Sequence, residues 1–120
     1  MSEKRIILEM GTGNDLYGQD YTKAARRAVQ DALHHSSITL FSRLGVDHKE
    51  MRVVVTIGVQ QPEAVDCDLV AQDLPRGRAE VRAVLGGLDV EDSDAGTRHV
   101  IATAAVEAYL PDMSGKYRLV

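Results

Sequence analysis

Ala24, Ala25, Ala28, Val29, Ala32 and Leu33 recur at helical spacing, and the stripe they make is mostly alanine. Side chains this short let a helix lie close to its neighbour, so the stripe calls for a flat apolar partner, which in a small domain is a sheet. Arg26, Arg27, Gln30 and Asp31 occupy the other side and mark it as solvent-facing. Asp20 stands where an N-cap belongs, so the helix begins near it. Just before it, the apolar run from Arg5 to Met10, with Ile6, Ile7 and Leu8, predicts a short buried strand over 4–10. Gly11-Thr12-Gly13-Asn14-Asp15 supplies the turn chemistry that stops that strand.

Past the helix, His34-His35-Ser36-Ser37 weakens the pattern; Ile38, Leu40, Phe41 and Leu44 add one more helical turn before Gly45 ends it. Met51 to Gln60 is the clearest strand, with Met51, Val53, Val55, Ile57 and Val59 on one face and Arg52, Val54, Thr56, Gly58 and Gln60 on the other. Asp66 caps a short helix through Leu69, Val70 and Leu74, closed by Pro75 and Gly77. Arg78 to Leu85 alternates as a half-exposed strand, Gly86-Gly87 permits a bulge or bend, and Glu91 to Gly96 reads as a polar loop. A last strand runs from about His99 to Tyr109. The order is β-α-β-α-β-β, an α+β single domain over residues 1–120 with 111–120 as a C-terminal tail and both helices on one face of a small mixed sheet.

Composition narrows the function classes. With 14 Lys and Arg against 18 Asp and Glu the formal charge is −4, and no segment gathers positive charge, so nucleic acid is not an expected partner. The lone Cys67 allows no internal disulfide, and MSEKRIILEM is too short an apolar run for a signal peptide or membrane span. A cytoplasmic protein without a membrane partner is the expectation. Val54, Thr56, Gly58, Thr103 and Ala105 make the second sheet face small and uncharged, which suits packing on another subunit and predicts a homo-oligomer. The other reading is a monomer whose tail, with Tyr117, Leu119 and Val120, covers that face.

The segment Gly11 to Lys23 concentrates the candidate site. Gly11, Gly13 and Gly18 permit close backbone approach, Asn14, Asp15 and Asp20 offer polar side chains, Tyr17 and Tyr21 can frame a flat ligand, and Lys23 is a base if buried. Each has a structural reading beside it. Asp20 is a helix cap, Asp15 closes an Asx-turn, the tyrosines pack over the helix start and Lys23 is a solvated side chain. Phosphate is disfavoured, because the spacing fits neither glycine fingerprint and Asp15 with Asp20 repels an anion. A small polar ligand is the expectation, with no cofactor. No metal is expected either: His34 and His35 diverge by about 100° on a helix, His48 and His99 lack spaced co-ligands, and Asp15 with Asp20 is a poor hard-ion cage. Cys67 reads as packing, and no serine sits in a nucleophile-elbow context.

At this segment the chain resembles a family of small uncharacterised proteins marked by Gly-x-Gly-x-Asp-x-His-Gly and then Asp-x-Thr-x-Ala-Ala-x-Arg-Ala-Val. The matching residues are Gly11, Gly13, Asp15, Gly18, Asp20, Thr22, Ala24, Ala25, Arg27, Ala28 and Val29, with Tyr17 in place of the motif histidine. A fainter likeness is to one repeat unit of the ring-opening amidohydrolases, the cyanuric acid hydrolase and barbiturase group. Gly13-Asn14-Asp15 and Asp20-Tyr21-Thr22-Lys23-Ala24 are similar to parts of their pattern, whereas Thr56-Ile57-Gly58 stands where those enzymes place Ser-Gly-Gly. That likeness implies a small chorismate-mutase-like fold. It also implies a homotrimer, or a multiple of one, in place of three fused repeats. Two functions follow as expectations: a small-molecule-binding or ring-opening hydrolase-like site between subunits, joining this segment to a neighbour's Arg82, His99 or Glu107, or a non-catalytic oligomeric structural or regulatory protein.

Overall fold

The computed structural model describes residues 3–15, 20–34, 52–74, 78–92, 94 and 96–111. The helical turn expected over 38–44, the stop at Pro75 and Gly77, and the tail from 112 onward lie outside the described residues. Strand β1 (Glu3–Asp15) is followed by helix α1 (Tyr21–His34) and strand β2 (Arg52–Val59). A single 3-10 turn (Pro62–Ala64) and a short helix α2 (Cys67–Ala71) lead to β3 (Arg78–Leu85), β4 (Leu88–Asp92) and β5 (Thr97–Pro111). The result is an α+β domain with two helices packed on one five-stranded sheet of order β1-β5-β2-β3, with β4 also paired to β5. Among the described strands only the β2–β3 pair is parallel, and the turn and α2 supply the crossover it requires.

Two expectations about boundaries are corrected. Strand β1 does not stop at Met10 but runs on through Gly11-Thr12-Gly13-Asn14-Asp15, each residue paired with β5 from Ala104 down to Val100. These glycines are strand residues, not a loop, because α1 lies so close above them that no side chain fits. A Cβ on Gly11 would sit 2.5 Å from the Ala28 carbonyl oxygen, and one on Gly13 would sit 2.7 Å from the Arg27 carbonyl carbon. The alanine stripe and the glycines are thus two halves of one close contact. The second correction is β4, which sequence reading placed in a bend and a polar loop. Gly86 and Gly87 let the chain step sideways from its place beside β2 onto β5, just past the end of β2. Gly87 has φ +62, and a Cβ there would sit 2.7 Å from the Gly58 carbonyl oxygen, so only glycine makes the step without strain.

The core lies between α1 and the sheet. Ala24, Ala25, Ala28, Val29 and Ala32 meet Val53, Val55, Ile57 and Val59 of β2 and Val100, Ala102, Ala104, Val106 and Ala108 of β5, all buried as the alternation predicts. Each fully buried valine stabilises the fold by about 1.5–3 kcal/mol relative to exposure. In β3 only Val81 and Ala83 join the core; Leu85, at the strand end, is exposed. Asp66 caps α2 as expected, accepting from the Leu69 N–H at 3.1 Å, though the helix ends at Ala71. Arg26 clamps α1 to the residues after α2 by two hydrogen bonds to Asp73, at 2.7 and 3.0 Å. β1 is an edge strand, and α1 shields part of its outer edge: Asp31 accepts from the Thr12 N–H, and Arg27 donates to the Asn14 carbonyl. No helix among the described residues is long and apolar enough to cross a membrane.

Candidate functional site

The corner where β1 hands over to α1 holds the residues singled out from sequence. Asp15 is buried, 4% exposed, at the end of β1. Its Oδ2 accepts from the Asp20 N–H at 2.9 Å, and its Oδ1 lies 3.8 Å from Lys23 Nζ and 3.9 Å from an Arg27 Nη1. Asp20 caps α1, its Oδ1 accepting from the Lys23 N–H at 3.0 Å. Lys23 is half-exposed and faces Asp15, and the Asn14 carbonyl takes a hydrogen bond from Arg27. Gly11 and Gly13 lie beneath α1. Tyr17 and Gly18 lie outside the described residues. Asp15, Asp20 and Lys23 are therefore gathered in one place, and their contacts run to each other and to the first turns of α1.

A second, partly buried carboxylate belongs to the same corner and was not foreseen. Asp15 pairs with Val100 and Val100 with Asp89, so the two aspartates flank β5 in one row on the helix-covered face. Tyr21, at the first residue of α1, donates its hydroxyl to Asp89 Oδ2, while Arg98 Nη1 lies 3.8 Å from the same oxygen. Burial, and then this hydrogen bond, push the Tyr21 hydroxyl above its ordinary pKa, so it stays a proton donor. Tyr21 packs over the helix start, one of its two expected roles. Asp89 escaped notice because it sits on the strand that sequence reading missed.

Arg82, His99 and Glu107, the expected contributions of a neighbouring subunit, lie on strands β3 and β5. Within one chain Arg82 and Glu107 belong to the opposite face of the sheet from Asp15. Burial, followed by the charges of Asp68 and Asp66, pushes the Cys67 thiol up, which makes it a weak nucleophile and fits the packing role read from sequence. Among the described residues no group of three His, Cys, Asp or Glu could hold a metal ion.

The other face of the sheet carries a different arrangement, legible row by row across the strands. Arg5, Tyr109 and Arg52 form one row; Leu8, Glu107, Val54 and Glu80 the next; Met10, Ala105, Thr56 and Arg82 the third; Thr12, Thr103, Gly58 and Val84 the fourth. Beyond them Asn14, Ile101 and Leu88 align, then His99 and Val90. One end is charged and internally paired. Glu107 accepts from Tyr109 at 2.8 Å and from Arg5 at 3.2 Å, Arg52 stacks 4.7 Å over the Tyr109 ring, and Arg82 donates to Thr56 at 2.9 Å. The rest is uncharged. Thr56, Gly58, Thr103 and Ala105 floor a shallow trough of about 530 Å³, walled by Met10 and Val84, with Asp31 of α1 at its margin.

Residues 5–108 match the family model described as conserved hypothetical protein, Lin0512_fam. The chain belongs to that family. The match takes in the glycines of β1 and β5 as far as Ala108, so the close helix contact and most of the open face fall inside the Lin0512_fam region. A solved structure similar to this Lin0512_fam chain is the crystal structure of an FtsZ-like protein of unknown function from Nostoc punctiforme. It shares 34% identity and a TM-score of 0.80, over 93% of this chain and 99% of that one. No curated protein matches this chain.

Proposed function

We propose that this protein is a non-catalytic structural or regulatory interaction protein whose working surface is the open face of the sheet. One observation carries the reading. Leu8, Met10, Val84, Leu88 and Val90 are all substantially exposed on that face, around a trough whose floor is uncharged, and an apolar patch of this kind marks a contact surface. The polar residues of the β1–α1 corner are meanwhile engaged in holding the fold: a ligand seated on Asp15 would have to displace the Asp20 N–H and two cations.

The test is chemical labelling of a thiol placed on the trough floor. In a Cys67→Ala background, Thr103→Cys should react more slowly than Gln30→Cys, which sits on the exposed side of α1, at the concentrations where the protein is stored. Equal rates at every concentration would mean that nothing covers the face, and the reading would fall.

A further inference from the structure

We infer that the occupant of the open face is a second copy of this chain, with Met10 of each copy seated in the trough of the other. The inference rests on the open face being the working surface and names its partner. Met10 is 72% exposed and stands at one wall of the trough, while the floor beside it is Ala105, Thr56, Thr103 and Gly58, the smallest residues of that face. A knob and a hole that fits it therefore lie on the same surface, about two strand spacings apart, which is the condition for a self-complementary contact. Methionine is unbranched and adaptable, and suits a hole of irregular floor.

Geometry and charge agree with a copy rather than with a strongly charged partner. A twofold axis running roughly along β5 carries Met10 of each chain over the other's Thr56 and Ala105, and it leaves the two sheets stacked with nearly aligned strands, as face-to-face sheets pack. The face is about 30 Å long from Arg5 to Asn14 and four strands wide, which gives roughly 500 Å² per copy and about 1,000 Å² in all, the lower bound for a specific interface. Arg5, Arg52 and Arg82 are already matched within the chain by Glu107, Glu80, Tyr109 and Thr56. An acidic or basic partner would find few unpaired charges there. The charged rows lie at one end of the contact, their ion pairs already closed within each chain.

Two experiments decide it. Sedimentation velocity of the full chain should show self-association, and Met10→Glu should weaken it tenfold or more while leaving the thermal melt of the dilute protein unchanged, since the side chain is exposed. In the Cys67→Ala background, oxidised Met10→Cys/Thr56→Cys should give an intermolecular 10–56 disulfide. Within one chain β5 separates those positions by about 9.6 Å, beyond a disulfide's reach. Association that Met10→Glu leaves intact, or oxidation without a 10–56 link, overturns the seating. A chain that stays monomeric while Thr103→Cys labels slowly overturns the second copy but leaves the open face as a contact surface, covered by residues 112–120 or by another protein. A monomer in which Thr103→Cys labels freely overturns both readings.

Discussion

The two faces of this sheet are built from alternate residues of the same strands, yet they obey opposite rules. Under α1 the side chains are Gly11, Gly13, Ala102, Ala104 and a row of valines, pressed so closely that added atoms meet backbone. On the other side Met10, Thr12, Thr103 and Val84 stand in the open with room above them. The covered face is where folding free energy is concentrated, and the open face takes little part in it. Sequence alternation alone predicts both faces; only the closeness of α1 shows which one has no tolerance.

The largest effect should come from violating that closeness. Gly13→Val places side-chain atoms against the Arg27 carbonyl carbon, 2.7 Å from where a Cβ would lie, and against the backbone of Ala24 and Ala28. Neither strand nor helix can give way without losing its pairing, so the expected cost is about 3 kcal/mol or more. Its neighbour Thr12, one residue away and facing the other side, should accept valine within about 0.5 kcal/mol. Urea midpoints for the two variants measure the contrast directly. Comparable losses at both positions would show that α1 does not press on β1 as described.

The next effect tests the corner where the covered face ends. Asp15→Ala removes the acceptor of the Asp20 N–H and leaves Lys23 and Arg27 facing an empty pocket, for an expected loss of about 2 kcal/mol. Asp15→Asn keeps an acceptor for the N–H and should lose about half as much. If instead Asp15→Ala proved neutral in urea, the residue would not be an anchor, and the ligand-binding reading of the Gly11–Lys23 segment would regain its ground.

Periodicity is a property of consecutive residues, and it was enough to give the element order apart from β4, the valine face of β2, the alternation of β5 and the caps at Asp20 and Asp66. It failed where the reason for a residue lies elsewhere in the chain. Gly11 and Gly13 look like turn residues until α1 is placed above them, because a glycine chosen for lack of a side chain and one chosen for free backbone angles look alike in sequence. Leu88 to Asp92 is short and bounded by glycines, and it becomes a strand only because β5 extends past β2 and offers it an edge. The Asp15–Asp89 row follows from that same pairing, so half of the polar corner was invisible without it.

The smallest effect belongs to the open face and shows how little folding depends on it. The Tyr109 hydroxyl, and then Arg5 with help from the charge of Arg82, hold the Glu107 carboxyl below the usual glutamate range against the opposing effect of burial. A carboxylate whose pKa is lowered by folding adds stability above its unfolded pKa, near 4.3, and that stability is lost as pH falls through the lowered value. Glu107→Gln keeps an acceptor for Tyr109 but has no charge to lose. Wild type should therefore exceed the variant by less than about 1 kcal/mol at neutral pH, as for partly exposed ion pairs, and the gap should close between about pH 5 and pH 3. Urea midpoints of both proteins across that range give the difference curve. A gap that persists unchanged to pH 3 would mean that Glu107 acts through its shape in the row rather than through its charge, and the charged end of the open face would then be packing surface like the rest.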